Sequence, residues 1–226
     1  MLAGQARVAI RGRAVQGNGD ARSFRGDFET HLTVAAAASD FAALQTLAAG
    51  LGARFLHIVL PRGQAPSQPM LSWRDRGELS VVRELAARRG ARLQQAGHHV
   101  TRCKIEAAPD NAGIPQDEFP GPDQYFESHL KIALAGGDDI AAVTALAQRH
   151  AAHLSRNALR RDEGGCEQRF VTQRLPGAGL RRARAGMDAL AAALTALGHA
   201  PLRSELEFVV YDSNQALDAG WMDGGS

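Results

Sequence analysis

The chain has 226 residues and 24.0 kDa, with 45% hydrophobic and 22% charged residues, an ordinary balance for a folded chain that builds its own core. Cys103 and Cys166 are its two cysteines, which excludes a disulfide framework and a CxxC-type zinc site. No apolar run is long enough for a membrane-spanning helix, and a formal net charge of +2 gives no argument for a nucleic-acid partner.

Residues 1–19 contain Arg7, Arg11 and Arg13 and no acid. They lack the apolar stretch of a secretory signal. Residues 1–26 therefore read as a basic, flexible arm, and the chain as cytoplasmic with reduced thiols. Residues 28–34 alternate and are rich in β-formers, which predicts a strand. Phe41, Leu44, Leu47 and Leu51 recur at helical spacing across 39–51, with Ser39 or Asp40 as N-cap. Residues 54–60 form a buried strand, Pro61-Arg62-Gly63 begins a turn, and 69–74 form a shorter strand. An amphipathic helix follows over 78–95, with Gly97 just past its end. Residues 100–107 alternate again. Four of the nine prolines fall in 108–124, which reads as a linker. The same series then returns over 125–134, 138–152, 153–160, 167–175, 179–197 and 202–211, with a hairpin turn at Asp162-Glu163-Gly164-Gly165. Residues 215–226 read as a tail.

The return is visible in the residues themselves. Phe28-Glu29-Thr30-His31-Leu32-Thr33-Val34 matches Phe126-Glu127-Ser128-His129-Leu130-Lys131-Ile132. Asp40-Phe41-Ala42-Ala43 matches Asp139-Ile140-Ala141-Ala142, and Gln68 to Arg74 matches Gln168 to Arg174. The expected fold is α+β: a tandem duplication of a ferredoxin-like βαββαβ unit, giving two antiparallel sheets with helices on one face of each. The expected units are 27–107 and 125–214.

Strand periodicity then sorts the polar residues. Glu29, His31 and Thr33 share one side of the first strand; Glu127, His129 and Lys131 share the matching side of its counterpart. Arg102, Lys104 and Glu106 stand opposite Cys103 and Ile105. With the apolar sides under the helices, the polar sides line the other face. Both lysines of the chain, Lys104 and Lys131, lie on these strands. Arg74 and Arg174 occupy matching places on the third strands, and Cys103 reads as a buried small hydrophobe.

His31-Leu32-Thr33-Val34 resembles the His-x-Thr-x tetrapeptide of the two-histidine phosphoesterases, which place two copies in two lobes; Lys131 stands where the second copy would carry Thr or Ser. That resemblance implies His31 and His129 as catalytic residues on a phosphorylated ligand. The paired Glu and His residues are similar to those by which the vicinal-oxygen-chelate enzymes hold a metal. Glu127-x-His129-x-Lys131 resembles the Glu-x-Glu-x-Lys strand of the triphosphate tunnel enzymes, with His in place of one Glu.

These observations lead to a polar cleft between two pseudo-symmetric repeats that binds a small anionic, phosphorylated ligand, with hydrolase or phosphoesterase chemistry as the activity to test. His31 and His129 are the acid–base residues. Arg74, Arg174, Lys104, Lys131 and Thr33 are the ligand-binding set. Two alternatives stand beside it: a divalent metal held by Glu29 and Glu127 of the two Glu-x-His pairs, and a non-enzymatic scaffold that docks partners on its sheet faces.

Overall fold

The computed structural model describes residues 23–121, 123–135, 138–161 and 167–222, without the side chains of 158–161. The basic arm up to Arg22, the hairpin turn at 162–165 and Cys166 lie outside the described residues. The first half runs β1 (Arg25–Ala35), α1 (Phe41–Gly50), β2 (Arg54–Val59), β3 (Ser67–Glu78), α2 (Leu79–Gln95) and β4 (His99–Ala107). The second runs β5 (Tyr125–Leu134), α3 (Ile140–Arg149), β6 (Ala152–Arg161), β7 (Glu167–Pro176), α4 (Leu180–Ala196) and β8 (Arg203–Asp212). His153 lies in β6 and is buried, and Ala151 breaks out of the helical conformation just before the strand.

In the first half β1 lies between β3 and β4, and β2 pairs with β3. In the second, β5 lies between β7 and β8, and β6 pairs with β7. The two halves do not form separate sheets, as the sequence suggested. Ile58 and Val59 of β2 pair with Asn157 and Arg156 of β6, and Lys104 to Ala107 of β4 pair with Asp212 to Phe208 of β8. The strands close into one antiparallel barrel, ordered β1-β3-β2-β6-β7-β5-β8-β4. The reason is the backbone. Each half alone would leave the N–H and C=O rows of two edge strands unpaired, and closure removes every edge.

Alternation fixes the two surfaces. Phe28, Leu32 and Val34 of β1, with Cys103 and Ile105 of β4, pack outward against Leu44 and Ala48 of α1 and Val82, Ala86 and Leu93 of α2. In the second half Leu130, Ile132, Leu154 and Val171 meet Val143 and Leu146 of α3 and Leu190 and Leu194 of α4. The helices are thus a jacket, and the opposite row of every strand faces the lumen. Both surfaces of the sheet are taken. The reading of a scaffold that docks partners on exposed sheet faces loses its surface.

Two segments finish the barrel. Residues 108–121 run along it rather than away from it: Asn111 accepts from Asp27 N and donates to Asp27 O, both at 2.8 Å, and Ile114 and Phe119 are buried. Gly26 sits at φ +146°, where a Cβ would run into Asn111 Oδ1, so this clamp requires glycine. Beyond β8 the chain folds back over one barrel end. Asp218 and Trp221 are buried, and Trp221 Nε1 donates to Leu154 O at 3.0 Å. The expected tail is, through Met222, a cap.

Phe208 joins the halves inside the jacket, with ring centroids 5.7 Å from Phe24, 5.6 Å from Phe119 and 4.8 Å from Phe126. Phe208→Ala removes this shared contact and is expected to cost about 3–5 kcal/mol, with urea unfolding remaining a single transition in fluorescence and circular dichroism. Two separated transitions would show that each half holds its structure without the other.

Candidate functional site

The strands turn their polar rows into a cavity of about 250 Å³ at the barrel centre. The registers of the two halves place like against like. Glu29 faces Arg74 across β1 and β3, and His31 faces Ser72. Glu127 faces Arg174 across β5 and β7, and His129 faces Thr172. On the opposite neighbours, Glu29 faces Glu106 and His31 faces Lys104, while Glu127 faces Glu207 and His129 faces Glu205. Two rows of ionisable groups thus meet where β4 closes on β8.

The centre of the lumen is an ion-paired chain. His31 Nε2 lies 2.7 Å from Glu106 Oε2. Lys104 Nζ lies 2.5 Å from Glu106 Oε1 and 2.6 Å from Glu127 Oε2, which ties β4 of one half to β5 of the other. His129 Nε2 is 3.6 Å from Glu127 Oε2, and its Nδ1 is 3.0 Å from Thr172 Oγ1. Arg174 donates to Glu127 Oε1 at 3.0 Å and lies over the Tyr125 ring at 4.3 Å. Burial would raise the Glu127 and Glu106 pKa values. Lys104 acts on both, with Arg174 beside Glu127 and His31 beside Glu106, and holds the two carboxyls below the usual range. The Lys104 pKa is raised because Glu106 and Glu127 outweigh its desolvation. The Cys103 thiol faces away from this centre and is pushed up to about 12, first by burial and then by Asp212. It is the inert, hydrophobe-like cysteine that the sequence indicated.

The two ends of the barrel differ. At one end Asp218 of the cap accepts from Arg102 of β4 at 3.1 Å, from Arg174 of β7 at 2.8 Å and from Gln68 of β3 at 3.2 Å. Arg102 also pairs with Asp212 at 2.5 Å. That end is shut. From Gln68, β3 runs through Met70 and Ser72 to Arg74, and β5 runs from Glu127 to Lys131. Arg54, Arg74, Lys131 and Arg203 therefore lie toward the far end. The side chains of Arg54, Arg74 and Arg203 are 53%, 64% and 60% exposed there. That end is an open mouth. Leu56, Ile58 and Met70 of the first half and Phe170 of the second line the wall facing the ionic rows.

The structure gathers His31, His129, Lys104, Lys131, Thr33, Arg74, Glu29 and Glu127 around one lumen, and Arg174 joins them through Glu127. The donor atoms of the two Glu-x-His pairs do not gather into one cluster among the described residues. Glu29 is bound by Arg54, by Ser72 at 2.5 Å and by Arg74 at 3.0 Å. Donor atoms of Glu106, Glu127 and His129 do lie within 4.8 Å of one another. The Lys104 ammonium touches both of those carboxylates and supplies their positive charge. Sequence reasoning missed Arg54 and Asp218. Arg54 was recoverable, since it shares a strand side with Leu56 and Ile58. Asp218 was not, because a short cap has no periodicity.

No protein-family model matches this chain, and no curated protein matches it. Among solved structures, the chain is similar to a mutant chlorite dismutase from Candidatus Nitrospira defluvii, with 16% identity over 86% of this chain and 93% of that one and a TM-score of 0.27. A likeness of that strength assigns no function.

The lumen acids make acid sensitivity predictable. Glu29, Glu106, Glu127 and Asp212 all have lowered pKa values in the fold. Their contribution is complete above the unfolded carboxylate range, near 4.5 for Glu, and is lost as pH falls through the folded values. Urea midpoints are expected to drop steeply below that pH. Asp218→Asn, which strips one buried carboxylate from Arg102 and Arg174, is expected to cost about 3 kcal/mol at neutral pH. A midpoint unchanged in this variant would show that the cap is not pinned by its charge.

Proposed function

We propose that the barrel lumen binds a small organic anion, which enters through the arginine-bearing mouth and lies against the apolar wall. One observation carries this reading. Among the described residues, the open end presents Arg54, Arg74, Lys131 and Arg203 against Glu29 and Glu205, with Glu207 deeper in, whereas the closed end matches Arg102 and Arg174 with Asp212, Asp218 and Glu127. An excess of cations at a low-dielectric opening draws anions in and orients them. Lys131, alone of these four, makes no ion pair among the described residues. The wall of Leu56, Ile58, Met70 and Phe170 suits an apolar body, in keeping with pockets that combine an apolar lining and a few polar anchors.

A phosphoryl group is the favoured charged end. The resemblance of His31-x-Thr33 to the phosphoesterase tetrapeptide supports it, as does that of the Glu127-x-His129-x-Lys131 strand to the triphosphate tunnel enzymes. His31 and His129 flank the Glu106–Lys104–Glu127 chain as candidate acid–base groups; a hydrolase activity is consistent with that placement. The same reading takes the halves as products of a tandem duplication, supported by the matched registers Glu29–Arg74 with Glu127–Arg174 and His31–Ser72 with His129–Thr172.

Calorimetric titration at low salt tests the reading. Phenyl phosphate is expected to bind, benzoate to bind more weakly, and added salt to weaken both. The double substitution Lys131→Ala with Arg203→Ala is expected to weaken phenyl phosphate at least tenfold, about 1.4 kcal/mol, without lowering the melting temperature. Benzoate binding more tightly would move the charged group to a carboxylate. An absence of binding by both anions at millimolar concentration, or affinity indifferent to the double substitution, would overturn the reading.

A further inference from the structure

We propose that Glu207 is the proton donor of the lumen: it delivers a proton to an oxygen of the bound anion, a carbonyl, ester or phosphoester oxygen, and regains one through His129. This rests on the lumen being the ligand site and names a second feature that the ligand must carry, an acceptor oxygen separate from its charged group.

The argument starts from a departure between the two halves. Glu106 and Glu207 hold equivalent places, facing Glu29 and Glu127 respectively. Two residues before Glu106 stands Lys104, whose ammonium neutralises Glu106 and Glu127 together. Two residues before Glu207 stands Glu205 in the place of that lysine. That ammonium is therefore spent on Glu106 and Glu127, and Glu207 has no lysine or arginine paired with it among the described residues. Its surroundings are acidic. Glu106 and Lys104 face it from β4, Glu29 from β1, Arg74 from β3, Glu127 and His129 from β5, and Glu205 from its own strand. Arg74 is held by Glu29 at 3.0 Å, and Arg203 by Glu205 at 2.6 Å. Burial, then Glu106, with Lys104 opposing and Glu29 and Glu205 adding, raises the Glu207 carboxyl well above the ordinary range. Two like carboxyls pushed apart by their environments is the arrangement from which acid and base roles are assigned.

His129 completes the device. Its Nε2 is 3.7 Å from Glu207 Oε2, while Thr172 fixes the other ring nitrogen at 3.0 Å. In the proposed step the O–H bond of Glu207 breaks as an O–H bond forms on the ligand oxygen. The carboxylate left behind is faced by the imidazole, which gives it a proton and is itself reprotonated by solvent hydronium, so that the net step moves one proton from solvent to the ligand oxygen. No electrons change hands.

The test compares the wild-type chain with Glu207→Gln, which keeps the size and a donor but cannot titrate. Carbon-13 labelling of the glutamate carboxyls is expected to show one resonance that stays protonated after the other carboxyls have titrated, absent from the variant. Since the folded pKa is raised, the wild type loses stability as pH rises from the unfolded value toward the folded one. The variant is therefore expected to melt higher than the wild type at pH 8 and to lose that advantage by pH 4. With phenyl phosphate as probe, wild-type affinity relative to the variant is expected to fall as pH rises through the titration of that resonance. A Glu207 resonance titrating in the ordinary carboxylate range would overturn the proposal even if phenyl phosphate binds. A protonated resonance with no binding by phenyl phosphate or benzoate would leave the buried acid standing and remove the ligand reading, and the donor role with it.

Discussion

The Lys104 ammonium is the interaction on which the interior depends. It touches Glu106 on its own strand and Glu127 on the other half, and no other lysine reaches the centre. Closing eight strands into a barrel with the polar rows inward commits more than a dozen ionisable groups to a confined space. Each must find a partner there or change protonation, because isolated charges in such surroundings are costly. A buried ion pair adds little net stability over a well-packed apolar pair, yet breaking one is expensive. The Lys104 pairings thus act chiefly as a register lock between the halves, while the phenylalanine cluster around Phe208 supplies the apolar attraction.

That lock explains why near-equivalent halves yield an asymmetric lumen. One ammonium can neutralise the carboxyls nearest to it, and it lies on β4, not on β8. Where β4 has Lys104, β8 has Glu205, so a chain of alternating charge on one side faces a surplus of acid on the other. Two charged positions break the match between these rows: Lys104 stands against Glu205, and Thr33 against Lys131. Two halves of matching register thus carry chemically distinct groups on similar backbones: the registers stay in step while a few side chains alter the electrostatics around their neighbours.

Much of this was legible in the sequence, for a definite reason. The period of two is a local property, so the rows Glu29-x-His31-x-Thr33, Arg102-x-Lys104-x-Glu106 and Glu127-x-His129-x-Lys131 could be assigned to the side away from the helices. The structure puts them there. Closure could not be read, because nothing in the sequences of β2 or β6 says that they meet; among the described residues Ile58–Asn157 and Val59–Arg156 join them. The role of Asp218 depends on Arg102 and Arg174, which are distant from it in sequence and brought together only by the barrel. Its segment carries neither helical nor strand periodicity.

The cap also determines which way a ligand can point. Asp218 gives Arg102 and Arg174 a carboxylate from within the chain, and Asp212 and Glu127 take what remains of their charge. Without it, both ends of the lumen would present arginines and an anion could seat either way round. With it, one end is electrically satisfied and sterically shut by Trp221, and positive charge is left over only at the mouth. On the proposed reading, an anionic group would be held where Lys131 and the exposed arginines lie, and the rest of the ligand would extend inward, past the apolar wall, toward Glu207 and the two histidines. The polarity of the site follows from a ten-residue fold-back beyond the last strand, not from the strands that form its walls.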